Sequence, residues 1–213
     1  MTKKLVLVGG GGHARSCIGV IESQHEYSIY GLIDTKLSKG ERVLEYPVLG
    51  GNELIPELAK QQDLYFLITV GQVKSAEVRV RLFELLESSN ATVVPAIVAE
   101  TAFVSPYSSL GKGTIVMQHV TLNAAAHVGQ NVILNNHCLV EHDCRVGNHS
   151  HISTGAILNG HCEIGDRVFI GSGAVLTHGV TVASDVIIGA GSVVINSITE
   201  PGTYAGNPVK KIN

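Results

Sequence analysis

Eight of the ten histidines lie between residues 119 and 178, and histidine is the side chain whose ordinary pKa lets it take up and release a proton near neutral pH. One of them, His142 in "EHDC", is followed directly by Asp143. A carboxylate next to an imidazole can fix its tautomer and stabilise the imidazolium, which is what a general base needs. A second chemical signal is the glycine run "VLVGGGGHARS". Gly9, Gly11 and Ala14 keep the G-x-G-x-x-A spacing after an apolar run, and Asp34 stands twenty residues beyond Ala14. Such a strand-to-helix turn presents backbone N–H groups of Gly9, Gly10, Gly11 and Gly12 to a phosphate. Gly71, at the end of a later apolar run, is a further candidate, because ligands gather at the carboxyl ends of strands. A plainer reading, in which the glycines only permit a tight turn, stands beside this one.

Elements that could position these groups fall into two regions. Over residues 4–97 apolar runs alternate with helical patterns: "KLVLVG", a helix over 13–24, "SIYGLID", a short helix over 52–60, "LYFLITVG", a helix over 75–88 and "TVVPAIV" as one strand. That alternation predicts a small α/β domain with a parallel sheet, Rossmann-like, over residues 1–98. About 95 residues suffice for only one mononucleotide half, which suits a nucleoside-diphosphate sugar better than a dinucleotide.

From about residue 102 a period of six takes over. Every sixth residue from Val104 to Val194, 16 in all, is Val, Leu or Ile, and the residue two before each is small. Glycine follows the aliphatic at 111, 129, 147, 165, 171 and 189, which is turn chemistry. Three hexads make one triangular coil, so residues 18 apart stack about 4.8 Å from each other. The outward column Ser109, His127, Arg145, Glu163, Thr181 is polar, whereas Thr121, Leu139, Ile157, Val175, Val193 and Ile115, Ile133, His151, Phe169, Ile187 are mostly apolar. Two apolar faces predict a homotrimer with Phe169 and Ile187 buried. All eight prism histidines fall outside the inward positions, and most are expected to be surface or subunit-contact groups. His142 differs because its corner column reads Ala124, His142, Gly160, His178, leaving room above and below. His151 differs because it interrupts an apolar column. These two lie on different sides of one prism, which predicts an active site between chains. Cys138, Cys144 and Cys162 fall at small inward positions and read as packing groups.

The repeat resembles the left-handed parallel β-helix of hexapeptide acyltransferases, over residues 99–213. With the glycine-rich domain, "VIEHDC", "HSHISTGAILNG" and the ending "AGNPVKKI", the chain resembles the NeuD/PglD group of sugar acyltransferases. The resemblance implies an acetyl-CoA-dependent N-acetyltransferase acting on a UDP- or dTDP-linked 4-amino-4,6-dideoxy sugar for bacterial surface glycans. It also implies His142 as base with Asp143, Gly160 as oxyanion donor, and His151, Gly160 and Ala190 along acetyl-CoA. His13 and the glycine loop would contact the nucleotide sugar, with Asp34 reaching the nucleoside. No metal is expected.

The net charge of −3 gives no field for nucleic acid, and no apolar stretch reaches the length of a membrane span. The expectation is a cytoplasmic protein whose partners are its two substrates and its own copies. Rival readings are a sialic acid O-acetyltransferase, a trimeric β-helix zinc enzyme of the carbonic anhydrase type, and a non-catalytic nucleotide sensor.

Overall fold

The computed structural model describes residues 3–212. β1 (Lys3–Val8) lies centrally, with β2 (Tyr27–Ile33) and β5 (Leu64–Ile68) paired parallel on either side. Its side chains alternate as a strand requires: Leu5 and Leu7 face one core cluster, Val6 and Val8 another. α1 (Gly12–Gln24) buries the stripe Ala14, Cys17, Ile18, Ile21 on the first side, while on the second α2 (Ile55–Leu58) buries Ile55 and α3 (Glu77–Ser88) buries Leu82, Phe83 and Leu86. Each such aliphatic contributes about 1.5–3 kcal/mol by leaving water. A short antiparallel pair, β3 (Arg42–Val43) and β4 (Tyr46–Gly50), extends the sheet beyond β2. β3 has only two residues and Pro47 interrupts β4, so neither reads as a strand from sequence, and this edge is an addition to the expected parallel sheet.

"TVVPAIV" divides into two strands. β6 (Thr92–Val93) pairs with β5, while β7 (Ala96–Val98) joins the prism by pairing with Thr114–Val116. Pro95 between them has no N–H to continue a ladder. The same seven residues thus end one sheet and begin the next.

Beyond β7 the chain forms a left-handed parallel β-helix with three sheets. Successive coils pair 18 residues apart: Ile133 with His151, Leu139 with Ile157, Arg145 with Glu163. The repeated aliphatics and the small residues two before them fill one continuous core. Corners turn on left-handed backbone. His119, His137, His149 and His161 all have φ between +57° and +60°, a region histidine, Asn and Asp enter more readily than most residues. Half of the prism's histidines therefore have a backbone reason to be there. The tail hairpin, Gly202–Gly206 with Val209–Lys211, adds two strands to the sheet that begins at β7. Among the described residues no helix is long and apolar enough to cross a membrane.

One expectation about the prism surface needs correction. Of the two apolar outer faces, the one carrying Ile115, Ile133 and His151 is covered by the chain itself: Ile115 and Ile133 share a core with α1, and His151 is buried against Gln72. Phe169 and Ile187, farther along that face, line a cleft at the domain junction. A column of apolar residues reveals that a face is covered, but not by what. Only the face bearing Phe103, Leu139, Ile157, Val175 and Val193 remains open, with Phe103 56% exposed.

Arg79 holds the two domains together. It occupies the apolar stripe of α3 and is fully buried, donating to the carbonyls of Val70 (2.6 Å) and Asn131 (2.8 Å) and to the Asn131 side chain. Asn131 in turn contacts Nδ1 of His149 at 2.9 Å. Burial lowers the Arg79 pKa to about 10, which leaves it charged at neutral pH.

Candidate active site

His142 stands on the corner between the open apolar face and the polar face. Its Nδ1 lies 2.8 Å from Oδ2 of Asp143. Because a carboxylate only accepts, Nδ1 carries the hydrogen and Nε2 keeps its lone pair. That nitrogen lies over Gly160: a Cβ built there would be 2.7 Å from both Nε2 and Cε1. Gly160 is thus required by the imidazole, and its own N–H donates to no group among the described residues. The hydrogen bond to Asp143 outweighs the opposing effect of burial and, with the Asp143 and Glu141 charges, raises the His142 pKa above the ordinary histidine value. The same hydrogen bond lowers that of Asp143. Both groups remain open to solvent, at 51% and 44% side-chain exposure.

A second site lies where the domains meet. A cleft of about 930 Å³ is lined by His13 and Gly71 from the α/β domain and by His151, Phe169, Ile187 and Ala190 from the prism. The sequence set His13 and Gly71 apart from His151 and Ala190, and the structure brings the four together. Here the imidazoles are withdrawn from water, His151 buried and His13 half-buried, and both are neutral. His151 Nδ1 donates to the carbonyl of Gln72 (2.7 Å), so its Nε2 must accept from Asn135 (3.1 Å). Burial, aided by the Arg79 charge and opposed by the Gln72 hydrogen bond, takes its pKa down to about 4. His13, 6.4 Å from His151 between ring centroids, is lowered to about 3 by burial, then by Arg79 and His151. Neither can serve as a proton acceptor of ordinary strength. His142, Asp143 and Gly160 do not line this cleft.

The glycine loop divides its labour. Gly9, at φ +113°, allows close packing against the loop after β5, since a Cβ would lie 2.5 Å from Val70 Cγ2. The Gly10 N–H is engaged by Asp34 Oδ2 at 2.7 Å, and the other Asp34 oxygen accepts from Lys36 and Leu37 N–H. Burial opposes ionisation of Asp34, but those three donors outweigh it and hold its pKa below the usual carboxylate range. Gly11 and Gly12, at the N-terminus of α1, face open space.

Gln72, Arg79 and Asn131 were not singled out by sequence. The one signal available was Arg79 itself, a charged residue in register with Leu82, Phe83 and Leu86 on the buried stripe of α3.

Comparison with known proteins agrees with this architecture. Residues 4–86 match the PglD N-terminal domain, and residues 161–196 match the bacterial transferase hexapeptide (six repeats). None of the curated proteins matches the chain. Among solved structures, the acetyltransferase domain of PglB from Neisseria gonorrhoeae in complex with acetyl coenzyme A is 30% identical, with all of both chains covered and a TM-score of 0.91. PerB from Caulobacter crescentus in complex with CoA and GDP-perosamine is 30% identical over 99% of this chain and 97% of that one, with a TM-score of 0.90. A histidine-to-alanine variant of the GDP-perosamine N-acetyl transferase from the same organism, again with CoA and GDP-perosamine, gives 30% identity, the same coverage and a TM-score of 0.92. The chain belongs to the NeuD/PglD-type hexapeptide-repeat sugar acyltransferases and is an acetyl-CoA-dependent acyltransferase.

Proposed function

We propose that the protein transfers the acetyl group of acetyl-CoA to the amine of a nucleotide-linked 4-amino-4,6-dideoxy sugar, in the cytoplasm, with His142 as general base. The observation that carries this reading is the fixed tautomer of His142, whose Nε2 lone pair lies over a glycine. In the reaction the sugar amine attacks the thioester carbonyl carbon and His142 Nε2 takes its proton. The Gly160 N–H meets the oxyanion that develops. Collapse breaks the C–S bond, and the imidazolium returns the proton to the departing CoA sulfur. Asp143 keeps Nδ1–H oriented throughout and stabilises the imidazolium.

The nucleotide diphosphate is assigned to the loop Gly9–Gly12 with His13 and Gly71. Since the Gly9 N–H already donates to the Ile33 carbonyl and the Gly10 N–H to Asp34, contrary to the expectation that both face phosphate, Gly11 and Gly12 at the helix N-terminus are the donors left for it. Asp34 then acts through the loop it braces as well as towards the nucleoside. Acetyl-CoA is assigned to the prism beside Gly160, His151 and Ala190. His151 contributes as part of the cleft wall, with both ring nitrogens already engaged.

The junction cleft and the His142 corner flank the open apolar face on opposite sides. Packing that face around a threefold axis brings the cleft of one chain beside the His142 corner of the next. We therefore assign the active site to the boundary between chains of a homotrimer.

The test is CoA release from acetyl-CoA with a panel of UDP-, dTDP- and GDP-linked amino sugars, products identified by mass spectrometry. N-acetylation of at least one 4-amino sugar nucleotide supports the reading. Acetylation of sialic acid hydroxyls alone would overturn it.

A further inference from the structure

The His142 corner carries more imidazole than one base requires. Candidate ligand atoms of His142, Asp143 and His161 all lie within 4.8 Å of one another. Asp143 Oδ2 is 2.8 Å from His142 Nδ1 and 3.6 Å from His161 Nε2. Tetrahedral zinc, with bonds of about 2.0–2.2 Å, places its ligand atoms about 3.3–3.5 Å apart, a spacing that the two observed distances bracket. The rings of His142 and His161 stand 5.3 Å apart and nearly perpendicular. His178, on the following coil, has its ring 5.0 Å from that of His161 and 6.4 Å from that of His142.

This is a preorganised set. His142 and Asp143 come from one coil and His161 from the next, joined by a hydrogen bond from His161 N to the His142 carbonyl at 3.0 Å. Asp143 and His161 share left-handed corner backbone, at φ +60° each. All three side chains are 44–55% exposed, so an ion reaches them without opening the fold. Two imidazoles and one carboxylate favour a borderline first-row ion such as Zn²⁺ over Mg²⁺, which prefers an octahedral shell of oxygens.

We propose that His142, Asp143 and His161 form a reversible binding site for a divalent transition-metal ion, Zn²⁺ above all, which switches the enzyme off by capturing its base. Coordination at Nδ1 requires the other tautomer of His142: the Nδ1 proton leaves to solvent, Nε2 takes one up, and two metal bonds replace the hydrogen bond to Asp143. Water and the His178 imidazole compete for the fourth position. With its hydrogen on Nε2, the occupied histidine has no lone pair left to accept the amine proton. Inhibition, though not binding, rests on the assignment of His142 as base.

The experiment uses the full-length enzyme stripped with EDTA. Zinc sulfate binding is followed by isothermal titration calorimetry, cobalt(II) chloride by its visible absorption, and initial rates by mass spectrometry of the acetylated sugar. The critical variant is His161→Asn, whose side chain tolerates φ +60° and is a poor zinc ligand. The expected result is one ion per chain, a tetrahedral cobalt spectrum, and inhibition reversed by EDTA. His161→Asn should weaken binding and raise the inhibitory zinc concentration at least tenfold, with metal-free turnover within twofold of wild type. Binding that His161→Asn leaves unchanged would overturn the site and leave the role of His142 untouched. One zinc per chain, lost in His161→Asn but without effect on wild-type turnover, would overturn the switch together with the assignment of His142 as base.

Discussion

The molecule holds two sets of histidines in opposite electrostatic conditions. At the prism corner His142 is half exposed and paired with a carboxylate, and its pKa rises. At the domain junction His13 is half-buried and His151 buried near the Arg79 charge, and their pKa values fall to about 3 and 4. On the proposed mechanism the same side chain serves as a base in one place and as a neutral strut in the other. Burial disfavours the imidazolium, and only a partner of opposite charge reverses that. The difference supports the proposed placement of proton transfer at the corner, with the junction serving architecture.

Removal of the corner imidazole tests that assignment with the largest effect. His142→Ala should lower kcat by about two to four orders of magnitude, the usual worth of a general base, with both KM values little changed. Steady-state kinetics on the purified enzyme decides it. Gly160→Ala comes next, because its methyl group would lie 2.7 Å from the His142 ring. The displaced ring should cost about a hundredfold in kcat, as small misplacements of reacting groups do, while thermal stability changes little.

Asp143→Asn should cost less, about tenfold, since the imidazole remains but loses its orienting charge. Its signature is in the pH profile. The working form of His142 is deprotonated, so kcat/KM falls as pH drops through its raised pKa. Without the carboxylate that limb should move to lower pH. A limb unchanged in this variant belongs to the substrate amine.

The junction predicts an effect on stability instead. An unfolded histidine titrates near 6.5, above the folded values of about 4 for His151 and 3 for His13. As pH falls the unfolded chain binds protons first, so the stability is fully present above about pH 6.5 and drains away towards pH 4. The slope is at most about 1.4 kcal/mol per pH unit for each histidine. His142, raised rather than lowered, acts with the opposite sign but is exposed. Urea unfolding at pH 7, 6 and 5 measures the sum, and stability that rises on acidification would contradict the buried neutral assignment.

Much of the prism was legible because its period is rigid. Once Val104 and its successors at six-residue intervals are set inward, His142 must stand at a corner with Gly160 beneath it, and the structure places them so. The junction was far less legible. Register put His151 on an outer face, and nothing local in sequence says that α1 and the segment around Gln72 cover it. Arg79 and Asn131, 52 residues apart, meet only through the packing of whole domains. The glycine loop was read in kind but not in detail: the position of Asp34 was clear, whereas its grip on the Gly10 N–H depends on the local turn.

The central claim is that corner and cleft form one active site from two chains, and mixed oligomers test it most directly. Gly11 has extended backbone, φ −73° and ψ −167°, and an added Cβ there meets nothing within 4 Å. Gly11→Val should therefore fold, raise the sugar KM and spare acetyl-CoA binding. Chains carrying His142→Ala are co-expressed with chains carrying Gly11→Val and assayed at a nucleotide-sugar concentration where each variant alone is nearly inactive. If the site spans neighbouring chains, random trimers regain about a quarter of wild-type activity, because one site in four draws both intact halves. If corner and cleft act within a single chain, every site carries one lesion and the mixture stays as inactive as its parts.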